Sequence, residues 1–297
     1  MKTIKCLFTC IVLSIGIHYQ VYAQQPLFSF GVMADVQYCD CDHAGTRHYR
    51  SSIRKLQAAV DTFNQKDIAF VVSLGDYIDR NFSSFDTLNQ ITSRLKVPLY
   101  HVIGNHDYSV DAVHQDEVPQ VLGLKERYYD FGKAGWRFIA LDGNFVSIHG
   151  TPKDDKRHET AIAMLETLKE KGAPNAYDWN GAVGSEQLQW LEKKLAQAKK
   201  KNEKVILLCH FPLTPEDGAE TLWDAQQLRN LLKNKDHVFA YFNGHAHKER
   251  YLYDEGVHYM TFAGMVEEET NAFAIVHVYE DHLEIQGYER AGHRHLE

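Results

Sequence analysis

Hydrophobic positions along this chain come in short runs, and several of the runs end abruptly at a carboxylate, an amide or an imidazole. Residues 28–34 are mostly apolar and stop at Asp35. Residues 70–74 stop at Gly75-Asp76, 99–103 at Gly104-Asn105-His106-Asp107, 205–209 at His210, and 238–242 at Asn243-Gly244-His245. Runs of this length bounded by turn residues predict buried strands. Between the first two runs the period changes. Ile53, Leu56, Val60 and Phe63 fall on one face of a helix over residues 49–65, with Arg54, Lys55 and Asp61 elsewhere. A second helix is expected around 84–95. Strand, helix, strand, helix, strand implies parallel pairing with crossover helices.

The later pattern is richer in strands. Residues 128–131 and 136–141 predict a hairpin around the glycines 132 and 135. Residues 150–180 are polar and turn-rich, with a helix expected over 159–169, and predict an excursion over the site. Ser185 is placed to cap a helix running to about residue 200, with Leu188, Leu191, Leu195 and Ala198 as its buried stripe. A further helix is expected over 222–232. Residues 251–253, 257–262, 272–279 and 283–286 predict successive antiparallel strands. The sum is an α/β chain with two mixed sheets and helices outside them, a four-layer αββα sandwich. Strand C-terminal ends would carry the site.

The first residues change this picture. Lys2 and Lys5 precede an apolar stretch over 6–17, and Val21-Tyr22-Ala23 supplies small residues at the two positions flanking Tyr22. This is the pattern of a secretory signal over residues 1–23, with residues 24–297 as one domain and a secreted or periplasmic location. The apolar stretch is shorter than the ~20 residues of a membrane span, so no membrane association is expected after cleavage. Residues 24–297 then carry 30 basic against 40 acidic side chains. Such a balance argues against duplex nucleic acid as a partner, since that binding rests on phosphate neutralisation. A monomer is the expectation, and any anionic substrate would have to be drawn in locally, for example by metal ions. Cys39, Cys41 and Cys209 remain, an odd count, and all three are expected as thiols. Gly104 is expected to permit a sharp turn.

Read together, the strand ends supply Asp35, Gln37, Asp76, Asn105, His210, His245 and His247 as donors, with His106 beside them. Carboxylate, amide oxygen and imidazole without thiolate suit Mn²⁺, Fe or Zn²⁺. Seven donors exceed what one tetrahedral ion needs. Two divalent metal ions sharing a carboxylate are the expected cofactor, and such pairs hold a bridging hydroxide that attacks in line at phosphorus.

These motifs resemble those of the calcineurin-like metallophosphoesterase superfamily, from Asp35 to His247. The resemblance implies that Asp35, Gln37, Asp76 and His247 hold one metal. Asp76 would bridge, and Asn105, His210 and His245 would complete the second. His106 would be the general acid, with Asp107 orienting its imidazole. Gln37 stands where the superfamily usually has histidine. The runs ADVQYCD, GTRHYR at 45–50, LKVPLYHVIGNHD, WRFIALD and NGAVGSEQLQWLEKKL at 180–195 resemble the manganese-dependent ADP-ribose/CDP-alcohol diphosphatase branch. That branch implies cleavage of diphosphate bonds in nucleoside-diphosphate-linked small molecules. The alternative activity is a broad phosphomonoesterase or phosphodiesterase that scavenges phosphate, and the non-enzymatic alternative is a metal-poor binding module. Arg47 and Arg80 are candidate phosphate clamps, whereas Arg50 is read as a surface charge. Tyr38 and Asn180-Gly181 are candidate pocket walls.

Overall fold

The computed structural model describes residues 25–297. The expected signal segment lies outside the described residues. In chain order the strands are Phe28–Met33 (β1), Val71–Ser73 (β2), Leu99–His101 (β3), Tyr129–Lys133 (β4), Trp136–Ala140 (β5), Val146–Ser147 (β6) and Gly181–Ala182 (β7). They continue with Lys204–Leu208 (β8), Val238–Asn243 (β9), Arg250–Asp254 (β10), Val257–Thr261 (β11), Ala272–Val278 (β12), Leu283–Glu289 (β13) and Arg294–Leu296 (β14). The α-helices are Ser51–Asn64 (α1), Ser83–Thr92 (α2), Val118–Val121 (α3), Lys156–Glu170 (α4), Gly184–Lys200 (α5) and Ala225–Leu232 (α6). No described helix is long and apolar enough to cross a membrane.

Two six-stranded sheets form the centre, in the orders β14-β13-β12-β1-β2-β3 and β10-β11-β9-β8-β5-β4. Alternation along β1 explains their stacking. Phe28, Phe30 and Val32 point between the sheets, where they join Phe138, Ile206, Leu208, Ala240 and Phe242. Met33 faces the other way and joins Leu56, Val60 and Phe63 of α1 and Phe85 and Leu88 of α2. On the far side, Leu191 and Leu195 of α5 and Leu228 and Leu232 of α6 cover Ile139, Leu207 and Tyr241 of the second sheet. This is the expected αββα sandwich, with mixed sheets because crossover helices make β1-β2-β3 parallel while β12 returns antiparallel to β1.

Three expectations need correction. The four late strands do not form one antiparallel run: β10 and β11 pair antiparallel, β11 pairs parallel with β9, and β12 to β14 cross to the first sheet. Hydrophobic alternation is the same in both sheets, so it carries no record of which sheet a strand joins. Ser185 does not cap α5, which begins at Gly184. Buried Asp224 caps it instead, accepting the Gly184 and Val183 N–H groups at 2.9 and 3.3 Å. Cys39 and Cys41 are bonded to each other rather than present as thiols. The buried thiol at Cys209 is as expected.

Candidate metal centre

Parallel strands β1, β2, β8 and β9 deliver their C-terminal ends to one edge of the sandwich. There the backbone takes conformations that side chains other than glycine seldom adopt. Asp35 (φ 50°), Gln37 (41°), Asp76 (49°), His245 (68°) and His247 (58°) all lie in the left-handed region. Non-glycine residues there cost roughly 1–3 kcal/mol each and persist where surrounding structure overrides them, often at functional sites. Here the turn after each strand swings the donor back toward a common point.

The donors form two overlapping groups. Asp76, His210 and His245 present ligand atoms mutually within 4.8 Å, as do Asp35, Asp76 and His247, and Asp76 belongs to both. Gln37 Nε2 donates to Asp76 Oδ2 at 3.1 Å, and Asn105 Oδ1 lies 3.2 Å from His210 Nε2. All seven expected ligands therefore converge. Each histidine is held by its other nitrogen. His210 Nδ1 donates to the Leu74 carbonyl at 2.8 Å, His247 Nδ1 to Glu267 at 2.6 Å, and His245 Nε2 to Glu220 at 3.1 Å. That leaves His210 Nε2 3.3 Å from Asp76 and His247 Nε2 3.5 Å from Asp35, while His245 Nδ1 faces His210 Nε2 at 3.1 Å; partners on the outer nitrogen of each ring are what orient metal-ligating imidazoles.

The site's composition fits two divalent ions. Asp35 and Asp76 are both fully buried, which is untenable for two carboxylates without nearby positive charge. Burial pushes the Asp35 carboxyl up. Burial acts the same way on Asp76, but the charges of His210 and His106 overcome it and hold that carboxyl well below the usual range. His210 is depressed by burial yet raised to about 9 by Asp76, whereas burial takes His245 down to about 4. Gln37 Oε1 is buried with no hydrogen-bond partner, as an amide oxygen reserved for a metal would be. Glycine clears the space. A Cβ on Gly104 would sit 2.1 Å from Asp76 Oδ1, one on Gly75 2.5 Å from His210 Nδ1, and one on Gly244 2.5 Å from Asp35 Oδ2. Gly104 is outside the left-handed region, so it serves close approach rather than the sharp turn expected of it.

His106 sits at the rim, where its side chain is 28% exposed. Its expected orienter is displaced. Asp107 is fully buried and accepts the Tyr77, Ile78 and Gly104 N–H groups at 2.8, 3.2 and 2.8 Å. It ties the third motif to the second, and burial beside Asp76 raises it to about 7. Asp79 takes the orienting place: its carbonyl oxygen is the hydrogen-bond partner of His106 Nδ1 at 3.3 Å, and its buried Oδ1 lies at the same distance without a hydrogen bond of its own. A one-residue step along a 3₁₀ turn sends the Asp107 side chain inward while His106 points out.

The remaining candidates divide. Arg80 donates to Asp79 at 2.7 Å and has a half-exposed side chain at the rim. Arg47 Nε lies 3.7 Å from Glu267, the carboxylate that holds His247. Arg50 binds Asp40 and Asp42 on the surface, as read from the sequence. Tyr38 lines a 340 Å³ cavity with Asn81, Phe82 and His114. Asn180 is buried with Oδ1 3.3 Å from His245 Nε2. Sequence reading missed Asp79, Glu220, Glu267 and Lys55. The buried Lys55 ammonium donates to the carbonyls of Met265, Val266, Glu267 and Glu268, fixing the loop that carries Glu267. A signal for Glu267 did exist, because residues 257–266 are another largely apolar stretch ending in carboxylates.

A family profile described as "Calcineurin-like phosphoesterase" matches residues 28–249. The chain belongs to the calcineurin-like phosphoesterase family. Within that family it is 34% identical to a manganese-dependent ADP-ribose/CDP-alcohol diphosphatase of Arabidopsis thaliana, over 90% of this chain and 96% of that protein. A protein of the same description from Xenopus tropicalis is 29% identical over 89% of this chain and 92% of its own length. A crystal structure of a dimetal phosphatase from Danio rerio superposes with a TM-score of 0.83 at 25% identity, covering 92% of this chain and 99% of that one. As a calcineurin-like phosphoesterase the chain is a metal-dependent hydrolase of phosphoric esters or anhydrides, with a pair of divalent metal ions as cofactor.

Proposed function

We propose that this phosphoesterase is exported and cleaves the diphosphate bond of nucleoside-diphosphate-linked small molecules, of the ADP-ribose or CDP-alcohol type. One observation carries the reading: two ligand groups share Asp76 beside a rim histidine, on a chain similar over nine-tenths of its length to diphosphatases. Asp35, Gln37, Asp76 and His247 would hold one ion, and Asp76, Asn105, His210 and His245 the other. When bound, such a pair lowers the pKa of water and offsets phosphoryl charge.

The chain's own residues supply the rest. His106 keeps Nδ1 against Asp79, so Nε2 faces outward to donate a proton. Water adds its oxygen to phosphorus and releases a proton to solvent, the bond from phosphorus to the leaving oxygen breaks, and the His106 proton goes to that oxygen, His106 being reprotonated from solvent for the next turnover. Arg47 and Arg80 flank the rim, where their charge suits the second phosphate of a diphosphate. Tyr38 and its cavity suit the base or alcohol. The bonded pair Cys39–Cys41 supports export, since disulfides persist mainly in oxidising compartments.

The test is a panel of ADP-ribose, a CDP-alcohol, a simple phosphomonoester and a simple phosphodiester, assayed with the manganese-loaded protein. Preferred cleavage of the first two into two phosphomonoesters is expected. Faster turnover of the simple monoester at equal concentration overturns the substrate assignment and favours a phosphate-scavenging role. Export is checked by fractionation: retention of residues 1–23 on the cellular protein contradicts it.

A further inference from the structure

A second cluster of metal-ligand type lies at the other end of the first sheet. Among the described residues, His282, Glu284 and His295 also present ligand atoms mutually within 4.8 Å. Strand register explains why they meet. Glu284 on β13 lies directly opposite His295 on β14, and His282 precedes Glu284 by two residues, which places it on the same face. The cluster is remote from the family's metal centre. Phe28, at the start of β1, pairs with Val278 at the end of β12, so the β12–β13 turn is at the end of the sheet away from Asp35. Six residues of β1 separate the two ends by roughly 20 Å.

The cluster lies at the surface, and hydrogen bonds hold each of its three side chains. His282 Nδ1 donates to Asp281 at 2.7 Å, and its Nε2 is left for a ligand. His295 Nε2 donates to Glu297 at 2.8 Å, and its Nδ1 faces Glu284 Oε1 at 3.9 Å. Glu284 Oε2 is steadied by the Tyr279 hydroxyl at 3.1 Å. Both imidazoles therefore carry a carboxylate on the far nitrogen. That is the support that fixes the tautomer of a metal-bound histidine and raises its basicity. The two rings already lie with centroids 4.8 Å apart, and Tyr279 stacks on His282 at 4.2 Å.

We infer that His282, Glu284 and His295 form a separate divalent-cation site, selective for Zn²⁺ over Mn²⁺, that fastens the terminal strand β14 to the β12–β13 turn. Two imidazoles and one carboxylate suit a borderline ion, with water as the fourth tetrahedral ligand. Donors about 2.1 Å from such an ion are roughly 3.4 Å apart, so side-chain rotation alone closes the present spacing. The site has a mechanical consequence. β14 pairs with β13 over only three residues and forms the sheet's open edge. An ion linking His295 to the turn would hold that edge closed.

The experiment uses the full, manganese-loaded protein and its His282→Ala/His295→Ala double variant. Both are dialysed against micromolar Zn²⁺, and zinc per chain is counted together with turnover and the thermal midpoint. Any exchange at the main centre is common to both proteins, so the difference isolates the edge site. One more zinc equivalent in the wild type is expected, with turnover equal in the two proteins and a zinc-dependent rise in midpoint confined to the wild type. Equal zinc content overturns the inference. Should the double variant lose turnover, Glu284→Gln replaces it, and tetrahedral Co²⁺ absorption supplies the readout. A Co²⁺ spectrum unchanged by Glu284→Gln also overturns the site.

Discussion

Gly104→Ala separates close approach from backbone conformation at the centre of the site. Nothing about the φ of Gly104 forbids alanine, since it lies outside the left-handed region. The obstacle is Asp76. The added methyl would lie 2.1 Å from Asp76 Oδ1 and 2.2 Å from Asp76 N. Carbon needs about 3.2 Å from such atoms, so one side must give by about 1 Å. Asp76 cannot yield freely, because its carbonyl accepts the Gln37 N–H at 2.9 Å and its Oδ1 accepts the His106 N–H at 2.8 Å. Gly104 is equally held, its N–H donating to Asp107 at 2.8 Å. Overpacking of this kind costs about 1–3 kcal/mol, which lowers the melting midpoint by about 2–4 °C for each kcal/mol in a chain of this size. The functional effect is larger. A displacement of ~1 Å in a reacting constellation lowers turnover by about a hundredfold, and Asp76 is the residue common to both ligand groups. The assay is kcat with saturating Mn²⁺, alongside manganese per chain and the thermal midpoint. Gly132→Ala is the control, because its methyl would meet nothing closer than 3.7 Å. A Gly104→Ala protein that keeps two manganese ions and turns over within threefold of wild type refutes the reasoning.

Other outcomes follow from the residues around the ligands. Glu267→Gln weakens the hold on His247 and is expected to reduce manganese affinity about 10–100-fold with little change in thermal midpoint; unchanged manganese titration would show that the 2.6 Å contact does not tune the ligand. Asp79→Asn should lower kcat about tenfold or more for substrates with poor leaving groups and leave activated aryl esters nearly unaffected, whereas equal losses on both would remove Asp79 as the orienter of His106. Buried His101 is pushed down to about 4 by desolvation. Its folded value is below the unfolded 6.5, so the unfolded chain binds the proton more readily, and wild-type stability falls as pH drops from 6.5 to 4 by about 3 kcal/mol. His101→Phe should flatten that part of the acid limb in urea unfolding at pH 7.5 and 4.5, and an unchanged difference between the two pH values would place the acid sensitivity elsewhere.

The sequence by itself determined the repeating unit and its chemistry. An apolar run that packs on one or both faces is a local property, and so is the polar residue that ends it. Asp35, Asp76, His210 and His245 could therefore be read as strand ends, and their donor types as a two-metal set. The layers followed too, because the helix stripe of Leu56, Val60 and Phe63 needs a sheet to cover. Tertiary structure alone decided the partners of those groups. Asp107 is adjacent to His106 in sequence, yet a single 3₁₀ step turns it inward, and Asp79 arrives from the preceding motif instead. Asp224 caps α5 from 40 residues away. Glu267 reaches His247 from a loop that is pinned by distant parts of the chain, among them Lys55, more than 200 residues earlier, which gathers its carbonyls. The assignment of β10 and β11 to one sheet and β12 to β14 to the other was also invisible, since alternation specifies a buried face without naming the face opposite. Strand-end donors are encoded by neighbours along the chain, whereas the groups that orient them are encoded by where the chain returns.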